Sequence, residues 1–207
     1  MLLSAKSRKS LGVSRETEER LSVYVDTLIK WNQRINLIGR TTVADVWERH
    51  IVDSAQLNAM APDAQNWVDL GSGAGLPALI IAAMRVDNEP DFLMTAVEAD
   101  QRKCAFIADV ARKMDVPIKI INARVEDIAI TGYDTVSARA LAPLTKLLNY
   151  AMPLRADGAI CLFPKGAKAT QELTAAAKDW HMNCEKIQSV TDVGSVILKI
   201  KAFERVA

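Results

Sequence analysis

The sequence predicts an α/β fold: a parallel sheet covered by helices on both faces, preceded by an N-terminal helical extension. Three observations carry this. From residue 67 onward short apolar runs alternate with amphipathic stretches, the rhythm of strands joined by crossover helices. A glycine-rich turn follows the first of those runs and opens the next helical stretch. Before residue 62 the apolar residues recur at helical spacing instead, with no strand-like run.

Taken in order, the segment from 15 to 60 reads as two or three helices. Leu21, Val25, Leu28 and Ile29 fall at intervals of three and four, with Tyr24 and Trp31 on or near the stripe. Asn36-Leu37-Ile38-Gly39 breaks the pattern. Thr41-Thr42, Asp45 and a run through Trp47, Ile51 and Leu57 form a capped restart, which Pro62 closes. Strands are predicted at 67–70, 92–97, 118–121, 135–138 and 159–163, with helices at 76–84, 102–114 and 144–152 between them. The chain ends in two apolar runs, 185–190 and 196–202, around Asp192-Val193-Gly194, a terminal hairpin rather than another crossover.

A chain of 207 residues holds one such core plus an appendage, with the boundary expected between extension 1–62 and domain 63–207. Half of its residues are hydrophobic and a quarter charged, the balance of a globular protein that can bury a core. No run approaches the roughly 20 apolar residues of a membrane helix, and residues 1–10 lack the apolar stretch of a secretory signal, so the expected location is the cytoplasm, away from membranes. Cys104, Cys161 and Cys184 are scattered, and His50 and His181 are the only histidines, so neither a disulfide framework nor a metal site is expected. The net charge of +1 announces no nucleic-acid partner. A local basic arm does exist, where Lys6, Arg8, Lys9 and Arg15 precede the first acid, Glu16; it reads equally as a phosphate-contacting arm or a solvated terminus.

The most informative segment is Asp69-Leu70-Gly71-Ser72-Gly73-Ala74-Gly75-Leu76-Pro77. Gly71, Gly73 and Gly75, between a strand and a helix, let the backbone turn tightly and approach a nucleotide-like ligand closely. Leu76 stands where dinucleotide enzymes place a third glycine, and no Lys-Ser or Lys-Thr follows, which argues against NAD and against a Walker loop. Glu98, at the end of the second strand and about 20 residues on, suits the two hydroxyls of a ribose. Asp100 is the alternate, with helix capping as its structural role. Asn122-Ala123-Arg124-Val125-Glu126-Asp127 follows the third strand, where it either holds a base ring or forms a solvated loop.

Together these residues resemble the class I methyltransferases, and in detail the small-subunit ribosomal RNA methyltransferase G family, also called glucose-inhibited division protein B. The resemblance spans nearly the whole chain. It rests on Trp31-Asn32 with Asn36-Leu37, Arg49-His50-Ile51-Val52-Asp53-Ser54, the glycine loop with Leu76-Pro77, Val97-Glu98 with Arg102-Lys103, Asn122-Ala123-Arg124-Val125-Glu126, Ser137-Ala138-Arg139-Ala140, and Lys165-Gly166. It implies a Rossmann-like class I sheet, S-adenosylmethionine as cofactor, and methylation of guanine N7 at position 527 in the 530 loop of 16S ribosomal RNA. The implied partner is that RNA or a small-subunit particle; a monomer is expected. Carried over, the cofactor contacts are Gly71, Leu76, Val125, Glu126 and Arg139, to which the loop chemistry adds Gly73, Gly75 and Glu98. Two departures stand out: Ala78 replaces a frequent glycine, and Gly194-Ser195-Val196 replaces an Arg-His pair before the final strand, which leaves the RNA-docking surface less securely inherited.

Guanine N7 carries a lone pair and no proton, so attack on a sulfonium methyl needs positioning rather than a general base. The sequence agrees, with no nucleophile-base constellation and with Ala138-Arg139-Ala140 in place of the Asn-Pro-Pro-aromatic motif that resemblance would associate with attack by exocyclic amines. Arg139 is the candidate catalytic residue: it can bind the cofactor carboxylate, an RNA phosphate or guanine O6. Arg124 and Lys165 are the other candidate substrate contacts, Lys165 reading equally as a solvated strand-end lysine. His50 and Asp53, three apart on a helix, can share a hydrogen bond and orient the extension against the domain. A small-molecule methyltransferase and a noncatalytic ribosome-assembly factor are the alternative functions.

Overall fold

A computed structural model describes residues 11–206, so of the basic arm only Arg15 can be placed, and Lys6, Arg8 and Lys9 lie outside the described residues. Helix α1 (Arg15–Asn32) starts where Ser14 caps it by accepting the Thr17 amide, with Glu16 and Glu18 in the first turn complementing the helix dipole. It buries the expected stripe of Leu21, Tyr24, Val25 and Leu28. Asn32 ends it: its Oδ1 accepts the amides of Leu37 and Ile38 at 2.9 and 3.0 Å, folding the chain back on itself. The expected second helix is a π-helical turn, Trp47–Val52, running on into the short α2 (Asp53–Ala55). Periodicity cannot distinguish such a widened turn from an ordinary helix, and π turns concentrate at functional sites.

The sheet follows: β1 (Asn66–Leu70), α3 (Ala78–Arg85), β2 (Leu93–Glu98), α4 (Gln101–Met114), β3 (Lys119–Asn122), β4 (Tyr133–Ala138), α5 (Leu144–Ala151), β5 (Arg155–Lys165), α6 (Ala169–Ala176), β6 (Trp180–Gln188) and β7 (Val196–Arg205). Its order is β3-β2-β1-β4-β5-β7-β6. The first five strands are parallel, and β7 is inserted antiparallel between β5 and β6, so the terminal hairpin is present. The chain winds outward from β1 to β3 and then returns to β4 on the other side of β1. That reversal opens a crevice beyond the carboxyl ends of β1 and β4.

Side chains alternate across each strand. Trp67 joins the apolar cluster formed with α1, the π turn, α3 and α4, whereas Val68, Leu70, Val136 and Ala138 join Leu144, Leu147 and Leu148 of α5 beneath the opposite face. The extension thus shares one core with the sheet. Arg85, only 1% exposed, fastens the connection between them by donating to the carbonyls of Ala61 and Ala64 and to Asn58 Oδ1 while pairing with Glu89.

One helix was not expected. In α6 only Ala169 and Ala176 are buried, too little apolar surface to show as a stripe. Strand β6 begins earlier than its apolar run because it is an edge strand whose first half alternates with polar residues.

Candidate active site

The glycine loop follows the carboxyl end of β1. Gly71, Gly73 and Gly75 all have positive φ, and at Gly71 a Cβ would lie 2.6 Å from Leu141 Cδ1. The loop is pinned from both sides. Ser72 N donates to Val97 O at 3.0 Å, and Tyr24 of α1 donates its buried hydroxyl to Ala74 O at 2.7 Å. Burial pushes the Tyr24 hydroxyl well above its ordinary range, so it remains a donor.

Glu98 is 8% exposed. Its Oε2 accepts from Gly73 N and its Oε1 from Asp100 N, both at 2.8 Å. Each oxygen retains a further lone-pair site, which suits the paired hydroxyls of a ribose. Asp100 takes the capping role, accepting from Arg102 N at the start of α4. Across the cavity Tyr150 of α5 donates to Glu126 Oε1 at 2.5 Å, which holds that carboxyl below its usual range. Gly71, Gly73, Glu98, Arg124, Val125, Glu126 and Tyr150 line one cavity of about 380 Å³, within the range of cofactor pockets. A carboxylate for a ribose, the apolar face of Val125 for a base and a backbone opened by glycine together fit S-adenosylmethionine.

Gly75 and Leu76 do not line that cavity; they form the buried turn into α3, where Gly75 packs against Leu79. Arg139 and Lys165 line an adjoining cavity of about 540 Å³. Among the described residues only Ala140, Leu141 and Ala142 face both. They form the edge that the two cavities share, and Ala140 takes positive φ, a conformation that costs energy without glycine and recurs at functional sites. Lys103, Lys146, Tyr150 and Leu141 belong to the lining although sequence reasoning assigned them no role. Tyr150 and Leu141, on or beside an amphipathic helix, read as core; Lys146 reads as a solvated helix lysine; and Lys103 is marked only as part of the Arg102-Lys103 segment, with no role attached.

Arg139 is the hub of the second cavity. It donates to Asp53 Oδ2 at 3.1 Å and to His50 Nδ1 at 2.7 Å. The expected His50–Asp53 hydrogen bond is therefore replaced by a shared guanidinium, because the π turn aims both residues at β4. With Nδ1 accepting, the ring proton sits on Nε2, 2.8 Å from Thr42 Oγ1, which donates onward to Gly39 O. Asp53 Oδ1 also accepts from Thr191 in the β6–β7 loop. Lys165 is not a solvated lysine. Its side chain is 9% exposed, pairs with Glu172 Oε2 at 2.7 Å and donates to Ala142 O at 2.8 Å.

Beneath the hub, Asp69 is fully buried; it accepts from Ser137, which in turn accepts from Trp67 Nε1. Burial is the largest influence on its carboxyl and lifts it to about 6, opposed by Ser137, Ser72 and Arg139.

His50 is lowered to about 4, by burial first and then by Arg139 and Arg49. Its unfolded value is near 6.5, so the unfolded chain binds the extra proton between pH 6.5 and 4. The stability due to neutral His50 is therefore complete above pH 6.5 and lost as pH falls through that window, on the order of 3 kcal/mol in all. Asp69 acts with the opposite sign, since its raised value favours the folded state as pH falls from about 6 toward 4. The difference between the parent and His50→Asn, whose amide oxygen can accept from Arg139 without titrating, isolates the histidine. The melting temperature of the variant is expected to fall less between pH 7.5 and 4.5; equal falls would contradict the role given to His50.

The parallel sheet reversing between β1 and β4, the glycine loop, the acid at the end of β2 and the paired cavities define a class I S-adenosylmethionine-dependent methyltransferase. Solved structures agree at the level of fold. A ribosomal protein L11 methylase from Lactobacillus delbrueckii subsp. bulgaricus superposes with a TM-score of 0.58 at 14% identity, over 77% of this chain and 79% of that one. A TehB-like SAM-dependent methyltransferase from Corynebacterium glutamicum gives 0.55 at 12%, over 72% and 86%. Residues 17–200 match the family described as rRNA small subunit methyltransferase G, and the chain belongs to that family. Relatives named ribosomal RNA small subunit methyltransferase G include one from Paramagnetospirillum magneticum, 49% identical over 94% of this chain and 93% of its own, and one from Ruegeria sp., 45% identical over 95% and 96%.

Proposed function

We propose that the chain transfers the methyl group of S-adenosylmethionine to N7 of guanine 527 in the 530 loop of 16S ribosomal RNA. Family membership supports the RNA and the cofactor. The observation that carries the chemistry is the shared edge of Ala140, Leu141 and Ala142, because it brings the two cavities together and lets a base in one reach a cofactor methyl in the other. When bound, the cofactor supplies an electrophilic sulfonium methyl. The residues around it hold the two reactants and leave proton transfer out: the ring nitrogens of His50 face Arg139 and Thr42, and guanine N7 has no proton to give up. Rate then comes from orientation and exclusion of water.

In this reading Gly71, Gly73, Glu98, Val125 and Glu126 hold the nucleoside part of the cofactor, while Gly75 and Leu76 set the loop. Arg139 and Lys165 line the RNA side, whereas Arg124, expected there as a substrate contact, lines the cofactor cavity instead because it sits on the loop after β3. Residues 1–62 act as the extension that braces Arg139 through His50 and Asp53, and 63–207 form the cofactor-binding domain. Exposed Arg40 and Arg49 suit phosphate contacts beside the base cavity. The enzyme works in the cytoplasm as a monomer; among the described residues no helix is long and apolar enough to cross a membrane.

Incubation with labelled cofactor is expected to place label in small-subunit RNA, free or in a particle, and none in a metabolite extract. Label in metabolites alone would replace this reading with a small-molecule methyltransferase, and no label anywhere would leave a cofactor-binding assembly factor.

A further inference from the structure

The carboxylates of the second cavity differ in how fully they are engaged. Three carboxylates line it, Asp53, Asp192 and Glu172. Both oxygens of Asp53 are engaged, by Arg139 on one side and by Gln56 and Thr191 on the other. Both oxygens of Asp192 are engaged as well, by Gly194 N and Ser195 Oγ. Glu172 differs. Its Oε2 accepts from Leu144 N and from Lys165 Nζ, both at 2.7 Å, while its Oε1 has no partner among the described residues. The carboxylate is thus fixed by one oxygen and presents the other.

Lys165 is fixed in the same way. Ala142 O and Glu172 take two of its three ammonium protons and leave one. A donor and an acceptor therefore stand side by side on a base cavity whose apolar surface comes from Leu141, Pro143 and Pro164. Guanine presents the complementary order, the acceptor O6 beside the donor N1–H, with the 2-amino group beyond it. Adenine presents the reverse, a donor at N6 beside an acceptor at N1, and would face like against like.

We propose that Glu172, oriented by Lys165 and the Leu144 amide, is the specificity-determining residue that reads the N1–H and 2-amino edge of the target guanine, with Lys165 at O6. That edge lies on the six-membered ring, away from N7, so reading it leaves the nucleophile free to face the cofactor past the Ala140–Ala142 edge that the two cavities share. The inference rests on the guanine-methylation reading.

The test compares kcat/KM for small-subunit RNA carrying guanine or inosine at the target position. Inosine keeps O6, N1–H and N7 and lacks the 2-amino group. The parent is expected to prefer guanine about tenfold. In Glu172→Gln the amide oxygen replaces Oε2 as acceptor for Leu144 and Lys165, which puts an N–H where N1–H must donate. Transfer to guanine is expected to fall about 10- to 100-fold with the guanine-to-inosine ratio near one, while S-adenosylhomocysteine binding stays at the parent value. A variant with parental rate and ratio overturns the proposal, and so does one whose rate falls at an unchanged ratio, since that marks a structural role. If Glu172→Gln does not fold, the ratio is read on Glu172→Asp by the same criterion. A parent that labels neither RNA defeats the guanine-methylation reading itself, and this outcome is distinct from failure at Glu172 alone.

Discussion

Arg139→Ala is expected to lower methyl transfer by at least about a hundredfold, the largest effect of any single substitution in the base cavity. The guanidinium, whose side chain is 20% exposed, joins β4 to the extension through Asp53 and His50, and it adjoins the edge that the two cavities share. Its removal leaves Asp53 and His50 without the cation they share. A fully buried broken pair costs 3–5 kcal/mol, and partial exposure here reduces that to about 2. For a chain of this size the melting temperature would drop about 4–8 °C. Lysine is not expected to restore activity, because a single ammonium cannot span both partners as the planar fork does. Single-turnover transfer to small-subunit RNA, read beside a melting curve, checks this. Parental transfer by Arg139→Ala would remove Arg139 from the mechanism.

Glu98→Ala is expected to weaken S-adenosylhomocysteine binding by about a hundredfold, measured by calorimetry. Two hydrogen bonds to a charged carboxylate contribute about 1.5 kcal/mol each, and the sum corresponds to that factor. The Gly73 and Asp100 amides lose their acceptor in the same variant, so the loop also loses its bracing. Glu98→Gln keeps one acceptor oxygen and is expected to fall between the two. Affinity within threefold of the parent for Glu98→Ala would place the ribose elsewhere.

Legibility from sequence follows the physics of each part. The glycine loop could be read because positive φ and close packing restrict those positions to glycine, and Gly71 meets that condition directly against Leu141. Glu98 could be read because a parallel αβ unit fixes the distance from the loop to the end of β2. The strands of the parallel core announced themselves as apolar runs, since both faces of that sheet are covered.

The partition into two cavities was not legible. It depends on the left-handed turn at Ala140, a residue type that gives no sign of it. The convergence of His50 and Asp53 on Arg139 depends on a π turn that leaves the same apolar spacing as an ordinary helix. Glu172 and Tyr150 lie on helices, where a polar or aromatic side chain looks like surface or core until the neighbouring strand end is in place.

The most direct test of the central claim is to map N7-methylguanine in 16S ribosomal RNA from cells with and without this protein. The account predicts the modification at guanine 527 in the first and its absence from that position alone in the second. An unchanged methylation pattern, or a loss confined to another base, would contradict it.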